Sequence, residues 1–183
     1  MTTQGLLLAA GAGSRMGMPK ALVSDERGSW LVRGVRTLRG GGCSGVTVVL
    51  GARSAEAVDL LDGLGVDVVI AFDWEEGMSA SLRAGLRAMP RDADAAVVLL
   101  VDLPDVGPEV VGRIVDTVTG PDVLARATFD GRPGHPALIG REHWAGVIAT
   151  ASGDRGARDY LDTHEHTSVE CGDLATGFDV DSR

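Results

Sequence analysis

Basic residues are scarce in this chain. Lys and Arg number 17 against 26 Asp and Glu, a net charge of −9, and the isoelectric point is ≈ 4.8. A field of that sign repels nucleic acid and anionic lipid, so neither is an expected partner, and any bound phosphate needs a local cluster of cations. Cysteine is nearly absent. Cys43 and Cys171 lie far apart without C-x-x-C spacing, which points to reduced thiols in a cytoplasmic protein. No apolar run approaches transmembrane length. Leu6–Leu8 precede small residues, but a basic n-region is lacking and the run is too short for an h-region, so no signal peptide is expected. The chain has 183 residues, 44% of them hydrophobic. That suffices for one well-buried core, and a single domain over 1–183 is the expectation.

Strand and helix signals alternate along the chain. Gln4–Ala10, Val46–Leu50, Asp67–Ala71 and Ala95–Val101 read as strands. The last is almost wholly apolar, as a strand buried on both faces should be. Between and after them, helical spacing covers Ser29–Arg39, Ser54–Leu64 with Ser54 as N-cap, Ser79–Met89 ended by Pro90, and Pro108–Val118. This order predicts βαβ units: an α/β fold with a mainly parallel sheet covered by helices on both sides. Beyond Pro121 the sequence predicts a hairpin around Asp130-Gly131, two helical segments, and short strands near Thr167–Glu170 and Phe178–Val180.

Ligands of such sheets bind at the carboxyl ends of the strands. There the first strand enters a loop, "GAGSRMGMPK". Gly11, Gly13 and Gly17 allow close backbone approach and bare N–H groups, and Arg15 and Lys20 add positive charge. A polyphosphate suits this loop. The glycine spacing misses the Rossmann G-x-G-x-x-G pattern by one residue and lacks the Walker G-K-[ST] ending, so plain turn chemistry also fits the loop by itself. A second stretch, "VVLLVDLPDV", ends a buried strand with Asp102. A carboxylate there faces the same crevice and suits Mg²⁺, and through it phosphate; capping of the following turn is the alternative. Asp179 and Asp181 form a third acidic element, with alternating spacing that places both on one face of a strand.

Leu8–Leu22 resembles the signature L-A-[AG]-G-x-[SG]-x-R-M-G-x-x-K of the nucleotidyltransferases that activate phosphorylated small molecules, the molybdenum cofactor guanylyl- and cytidylyltransferases among them. Four further stretches agree in order: "GMSASL" at 77–82, "VDLPDV" at 101–106, "GRPGHPALI" at 131–139 and "GDRGARDYL" at 153–161. "GMSASL" together with "GHP" is most similar to the molybdopterin cytidylyltransferase-like branch. The resemblance implies a three-layer α/β/α fold with a mainly parallel, Rossmann-like sheet, of the nucleotide-diphospho-sugar transferase type. It also implies Mg²⁺-dependent transfer of CMP from CTP, or GMP from GTP, onto the phosphate of molybdopterin. Arg15 and Lys20 are then expected to hold the triphosphate and the departing pyrophosphate, with Asp102 and Asp181 as metal ligands and Asp181 preferred to Asp179. Leu8, Ala9, Ala10, Gly11 and Gly13, with Ser79 and Ser81, are expected to line the nucleotide pocket, and Gly134, His135 and Pro136 the acceptor. The partners implied are a nucleoside triphosphate, a phosphorylated small-molecule acceptor and, in passing, a molybdoenzyme; the chain itself is expected as a monomer or weak homodimer.

Bland roles stand beside these. Ser79 serves equally as an N-cap, His135 as a structural histidine, and Arg155 and Arg158 as surface charges. Within enzymes, the alternative acceptors are a sugar phosphate or phospholactate. Outside them, the chain reads as a non-catalytic nucleotide-binding module. A dinucleotide oxidoreductase ranks third, because no acidic ribose ligand follows the glycine loop at the usual distance. The family usually continues past the final acidic strand with Pro-Glu-Asp and a helix, whereas here only Ser182 and Arg183 follow Asp181. Chain ends fray unless tied down, so that strand is expected to order with metal or substrate.

Overall fold

The structure is a computed structural model and describes residues 1–181. Its main sheet has seven strands: β1 (Thr3–Ala9), β2 (Gly45–Leu50), β3 (Asp67–Ile70), β4 (Ala95–Leu100), β5 (Leu124–Phe129), β6 (Arg132–Gly140) and β7 (Thr167–Glu170). Across the sheet they lie in the order β3-β2-β1-β4-β6-β5-β7. All pairings are parallel except the two made by β6, so six strands run one way. Six α-helices connect them: α1 (Trp30–Gly40), α2 (Ser54–Asp59), α3 (Met78–Ala88), α4 (Pro108–Val115), α5 (Arg141–Thr150) and α6 (Arg158–Thr163).

The central strands explain themselves. In β1, Leu7 points into one core with Val48, Val97 and Leu99, while Leu6 and Leu8 point into a second core with Val49, Val98 and Ile139. A strand flanked by helices on both faces must be apolar on both, and "GLLLA" and "AAVVLL" are. Helices α1 and α4 cover the first core through Leu31, Val35, Leu38, Val110 and Ile114. Helices α3, α5 and α6 cover the second through Leu82, Leu86, Trp144, Val147 and Leu161. At Gly34 of α1, a Cβ would lie 2.9 Å from Leu7, so glycine sets how closely that helix meets the sheet. Among the described residues no helix is long and apolar enough to cross a membrane.

Several sequence expectations need correction. Ser54 does not cap α2. The N-cap is Arg53, whose φ of 50° turns the chain into the helix without a side-chain cap. That helix stops at Asp59 and continues only as three-residue turns, such as Leu64 N–H to Leu61 O at 3.0 Å. Ser79 caps nothing either: α3 starts one residue earlier, with Gly77 as N-cap at φ 107°. Phe178–Val180 is not a strand. It meets the turn after β4 through one hydrogen bond, Val180 N–H to Asp102 O at 3.0 Å, and finds no ladder to join.

The β5–β6 hairpin turns at Asp130 and Gly131, both at positive φ. Its tip is tied to β7 by one carboxylate. Glu170 accepts from the N–H groups of Gly131, Gly172 and Asp130 and from the Thr128 hydroxyl, at 2.8–3.1 Å. These donors, led by the Gly131 and Gly172 amides, hold its pKa down at about 2, against an ordinary 4.5. A depressed carboxylate stabilises the fold above its unfolded pKa, and that contribution disappears as pH falls through the folded value. Glu170→Gln should therefore melt below the wild type at neutral pH. The gap should close as pH falls from 4.5 toward 2. Parallel thermal melts across that range test it, and a gap constant with pH would contradict the role of the charge.

Candidate functional site

Between β1 and β4 the chain order reverses: the strand that follows β1 lies on its far side, and β4 lies on the near side. Ligands of open α/β sheets sit at this switch point. A cleft of ≈ 450 Å³ opens there, at the carboxyl ends of both strands. Its first wall is the segment from Leu8 to Met16. Gly13 is the pivot of the loop: it sits at φ 61°, and a Cβ would fall 2.0 Å from Met18 O. At Gly11, by contrast, a Cβ would meet nothing within 4 Å, so the backbone there borders open space in which a ligand can lie close.

Pro19 then starts a single 3-10 turn, Lys20–Leu22, anchored by buried Ala21 and Val23. Lys20, the only lysine in the sequence, projects across the cleft. Its Nζ donates to Asp102 Oδ2 at 2.6 Å and to Asp181 Oδ1 at 2.7 Å. Arg15 donates to the other oxygen of Asp181 at 2.7 Å. The Lys20 and Asp102 side chains are only 18% and 16% exposed, against 76% for Arg15, so the lysine pair is the one that water screens least. Burial opposes the charge on Lys20, but the hydrogen bonds it donates to Asp102 and Asp181, together with their negative charges, outweigh burial and raise the pKa. Asp181 is lowered, first by its bond from Lys20 and then by the lysine and Arg15 charges.

Asp102, Asp179 and Asp181 each place a carboxylate oxygen within 4.8 Å of the others. Asp102 Oδ1 is buried and has no hydrogen-bond partner among the described residues. An acceptor left in that state costs free energy unless a ligand completes it. Three hard oxygen donors around an unfilled buried lone pair fit a small divalent cation such as Mg²⁺ or Mn²⁺. Asp179 therefore joins the two carboxylates expected from sequence. Asp181 needs no paired strand, because Lys20 and Arg15 hold it.

The cleft brings together Leu8, Ala9, Ala10, Gly11, Gly13, Arg15, Lys20, Ser81, Asp102 and Asp181. It does not include Ser79, whose fully buried hydroxyl accepts from Gly156 N–H at 3.0 Å and so ties α3 to the 153–156 turn. Sequence reasoning missed Trp74 and Asp154. Trp74 closes one wall by packing where a Cβ on Gly51 would be, at 2.6 Å. Asp154 accepts from Met78 N–H at 3.3 Å and reaches both this cleft and its neighbour. Its signal lay in the "GDRGAR" stretch. The neighbour is a cavity of ≈ 260 Å³ lined by Gly134, His135 and Arg126, and it shares Leu8, Met78 and Asp154 with the cleft. Pro136 is buried behind it, with a cis bond to His135, and does not line it. Arg155 and Arg158 do line it, while pairing with Asp159 and Asp162 on α6.

With this geometry in place, comparison with known proteins is decisive for the family. Residues 5–168 match the family model described as the MobA-like NTP transferase domain. This chain belongs to the MobA-like NTP transferase family. Among curated relatives, nicotine blue oxidoreductase of Paenarthrobacter nicotinovorans is 37% identical over 97% of this chain and 91% of its own length. Rv0371c of Mycobacterium tuberculosis is similar in structure, with 26% identity, a TM-score of 0.83, and coverage of 100% of this chain and 94% of that one. A complex of Rv0371c with manganese is also similar, at 26% identity and a TM-score of 0.76 over 93% of this chain and 88% of that one. Molybdopterin-guanine dinucleotide biosynthesis protein A of Archaeoglobus fulgidus shares the fold, with 17% identity, a TM-score of 0.68, and coverage of 98% and 92%.

The carboxylate set generates a direct test. Asp102→Asn removes the charge while keeping the shape, and should abolish Mn²⁺ binding measured by calorimetry on a protein that melts normally. Asp181→Ala should weaken binding more than Asp179→Ala, because Asp181 is the better fixed of the two. Unchanged Mn²⁺ affinity in Asp102→Asn would remove it from the metal site.

Proposed function

We propose that this protein transfers CMP from CTP onto the phosphate of a small-molecule acceptor, with molybdopterin as the preferred candidate, and releases pyrophosphate. One observation carries the reading: the only lysine clamps Asp102 and Asp181 beside a glycine loop at the switch point of the sheet. The acceptor phosphate is largely dianionic at neutral pH, its second pKa being about 6. Its oxygen can attack the α-phosphorus directly while the α–β P–O bond breaks and the electron pair leaves on pyrophosphate. No general base is required, so the residues act by positioning and by neutralising charge. Loop N–H groups near Gly11 and Gly13 would receive the phosphates, and Lys20 and Arg15 would meet the charge that gathers on the leaving pyrophosphate. Asp102, Asp179 and Asp181 would hold the divalent ion, Mg²⁺ in this reading. That ion, when bound, supplies charge neutralisation between the two reacting phosphates.

Support for cytidine comes from Ala10, which follows β1 in the cleft wall. In the resembling family the guanylyl-transferring branch tends to carry glycine there. A Cβ at the base leaves room for one ring more readily than for two. The second cavity would take the acceptor, His135 at its wall. A cytoplasmic location and hand-over of the product to a molybdoenzyme belong to the same reading.

A redox reading follows from the 37% identical relative that is named nicotine blue oxidoreductase. Two adjoining cavities joined through Leu8, Met78 and Asp154 suit any pyrophosphate-bridged dinucleotide, whether a product of nucleotidyl transfer or a reduced nicotinamide donor. Pyrophosphate release from each NTP with a pterin-phosphate acceptor, run beside oxidation of reduced nicotinamide dinucleotide with nicotine blue, separates the two. CTP should be consumed best. If GTP or ATP is preferred, the cytidine assignment fails.

Two substitutions sharpen this. Lys20→Ala should lower turnover by roughly a hundredfold or more, as expected when one charged transition-state contact is lost. Ala10→Gly should relax discrimination against GTP without reversing it, because one methyl group is worth only about 1–3 kcal/mol. NTP-consumption kinetics on each variant checks both, and wild-type values for Lys20→Ala would make that residue a bystander.

A further inference from the structure

We propose that Arg126 reads a second, non-reacting oxyanion of the acceptor, a carboxylate or phosphate group seated in the cavity beside His135. The proposal rests on the nucleotidyl-transfer reading and adds a specificity determinant to it. In "LARATF" of β5, Ala125, Ala127 and Phe129 face the core under α1 and α4. Arg126 and Thr128 face the other way, and the pairing with β6 shifts register between them. A bulge of this kind re-aims side chains. The result is a cation in a strand paired on both sides, with 9% of its side chain exposed, forming part of the cavity wall.

Its hydrogen bonding is incomplete. NH1 donates to Asp162 Oδ1 at 3.0 Å, and Nε is buried with no partner among the described residues. Asp162 is itself 48% exposed and is approached by Arg158 at 3.9 Å, so its charge is divided. A guanidinium removed from water with donors unfilled is costly unless a ligand supplies the acceptors. The wall around it holds three arginines, Arg126, Arg155 and Arg158, against the single aspartate Asp154, in a chain of net charge −9. Arg155 already gives its Nε to Asp159, which leaves Arg126 with donors to spare. His135 adds no competing charge. Burial and the Arg126 cation push its pKa down to about 4, so at neutral pH it offers one N–H and one lone pair. A planar guanidinium fork matches carboxylate and phosphate oxygens in pairs. The cavity adjoins the nucleotide cleft, so a molecule anchored here can present its reacting phosphate there.

Two measurements test the assignment. In the first, isotope-labelled protein is titrated with inorganic phosphate in one arm and acetate in the other, following the arginine Nε–H resonances. At least one anion should shift the Arg126 signal saturably, and the arm that responds identifies the oxyanion class. Arg126→Met, an apolar chain of similar reach, should weaken that binding about tenfold or more, since hydrogen bonds to a charged group are lost. If neither anion moves the Arg126 signal, the proposal is overturned. In the second, Arg126→Met should raise the acceptor KM about tenfold or more while the KM for CTP stays put, and Arg126→Lys, which keeps the charge and the fold, should recover part of the loss. Equal acceptor KM in wild type and both variants overturns the proposal as well. The anion titration needs no turnover, so an anion site at Arg126 without pyrophosphate release would refute the nucleotidyl-transfer reading alone.

Discussion

The site depends on one ammonium group. Lys20 Nζ joins Asp102, on the turn after β4, to Asp181, near the end of the described chain. Without a cation at that point, Asp102, Asp179 and Asp181 would set three negative charges within a few ångströms of each other in a partly buried crevice. Like charges so placed repel, and burial strengthens the repulsion. The clamp thus connects three segments remote in sequence. It also adds to the contacts that lay the final segment over the sheet, where Thr176 N–H donates to Asp105 Oδ2 at 2.7 Å and Val180 N–H to Asp102 O at 3.0 Å. Arginine would serve less well here. A compact ammonium on a flexible stem reaches two carboxylates from one point, whereas a guanidinium fork favours one planar partner. The other sixteen basic residues are all arginine.

The sheet determines where this clamp can act. The reversal of strand order between β1 and β4 opens the crevice, and β6, running against its neighbours, carries Gly134 and His135 to the adjoining cavity. Two compartments result, one lined by loop amides and acidic groups and the other by arginines. Leu8, Met78 and Asp154 belong to both. The two compartments adjoin beside β1 and β4 in a chain of the MobA-like NTP transferase family.

By itself the sequence determined the local rules. Apolar runs specify buried strands, because only residues such as Leu6–Leu8 and Val97–Leu99 satisfy a sheet covered on both faces. Helical stripes specify α1, α3 and α4, and the glycines specify a loop that bends where side chains would collide. The candidate site was partly legible too, because Arg15 and Lys20 lie in the loop that leaves β1 and Asp102 in the turn that leaves β4. Tertiary structure decided the rest, for reasons of contact at a distance. Ser79 reads like a cap or a ligand until the turn at Gly156 takes its hydroxyl. Phe178–Val180 alternates like a strand but finds no edge to pair with. Asp179 becomes a third carboxylate of the cluster only when the final segment folds over β4. Arg126 is one arginine among sixteen in the sequence. Only the packing of α6 and β6 around β5 removes it from water and leaves its Nε without a partner among the described residues, and burial of that kind is a property of neighbours that no local pattern encodes.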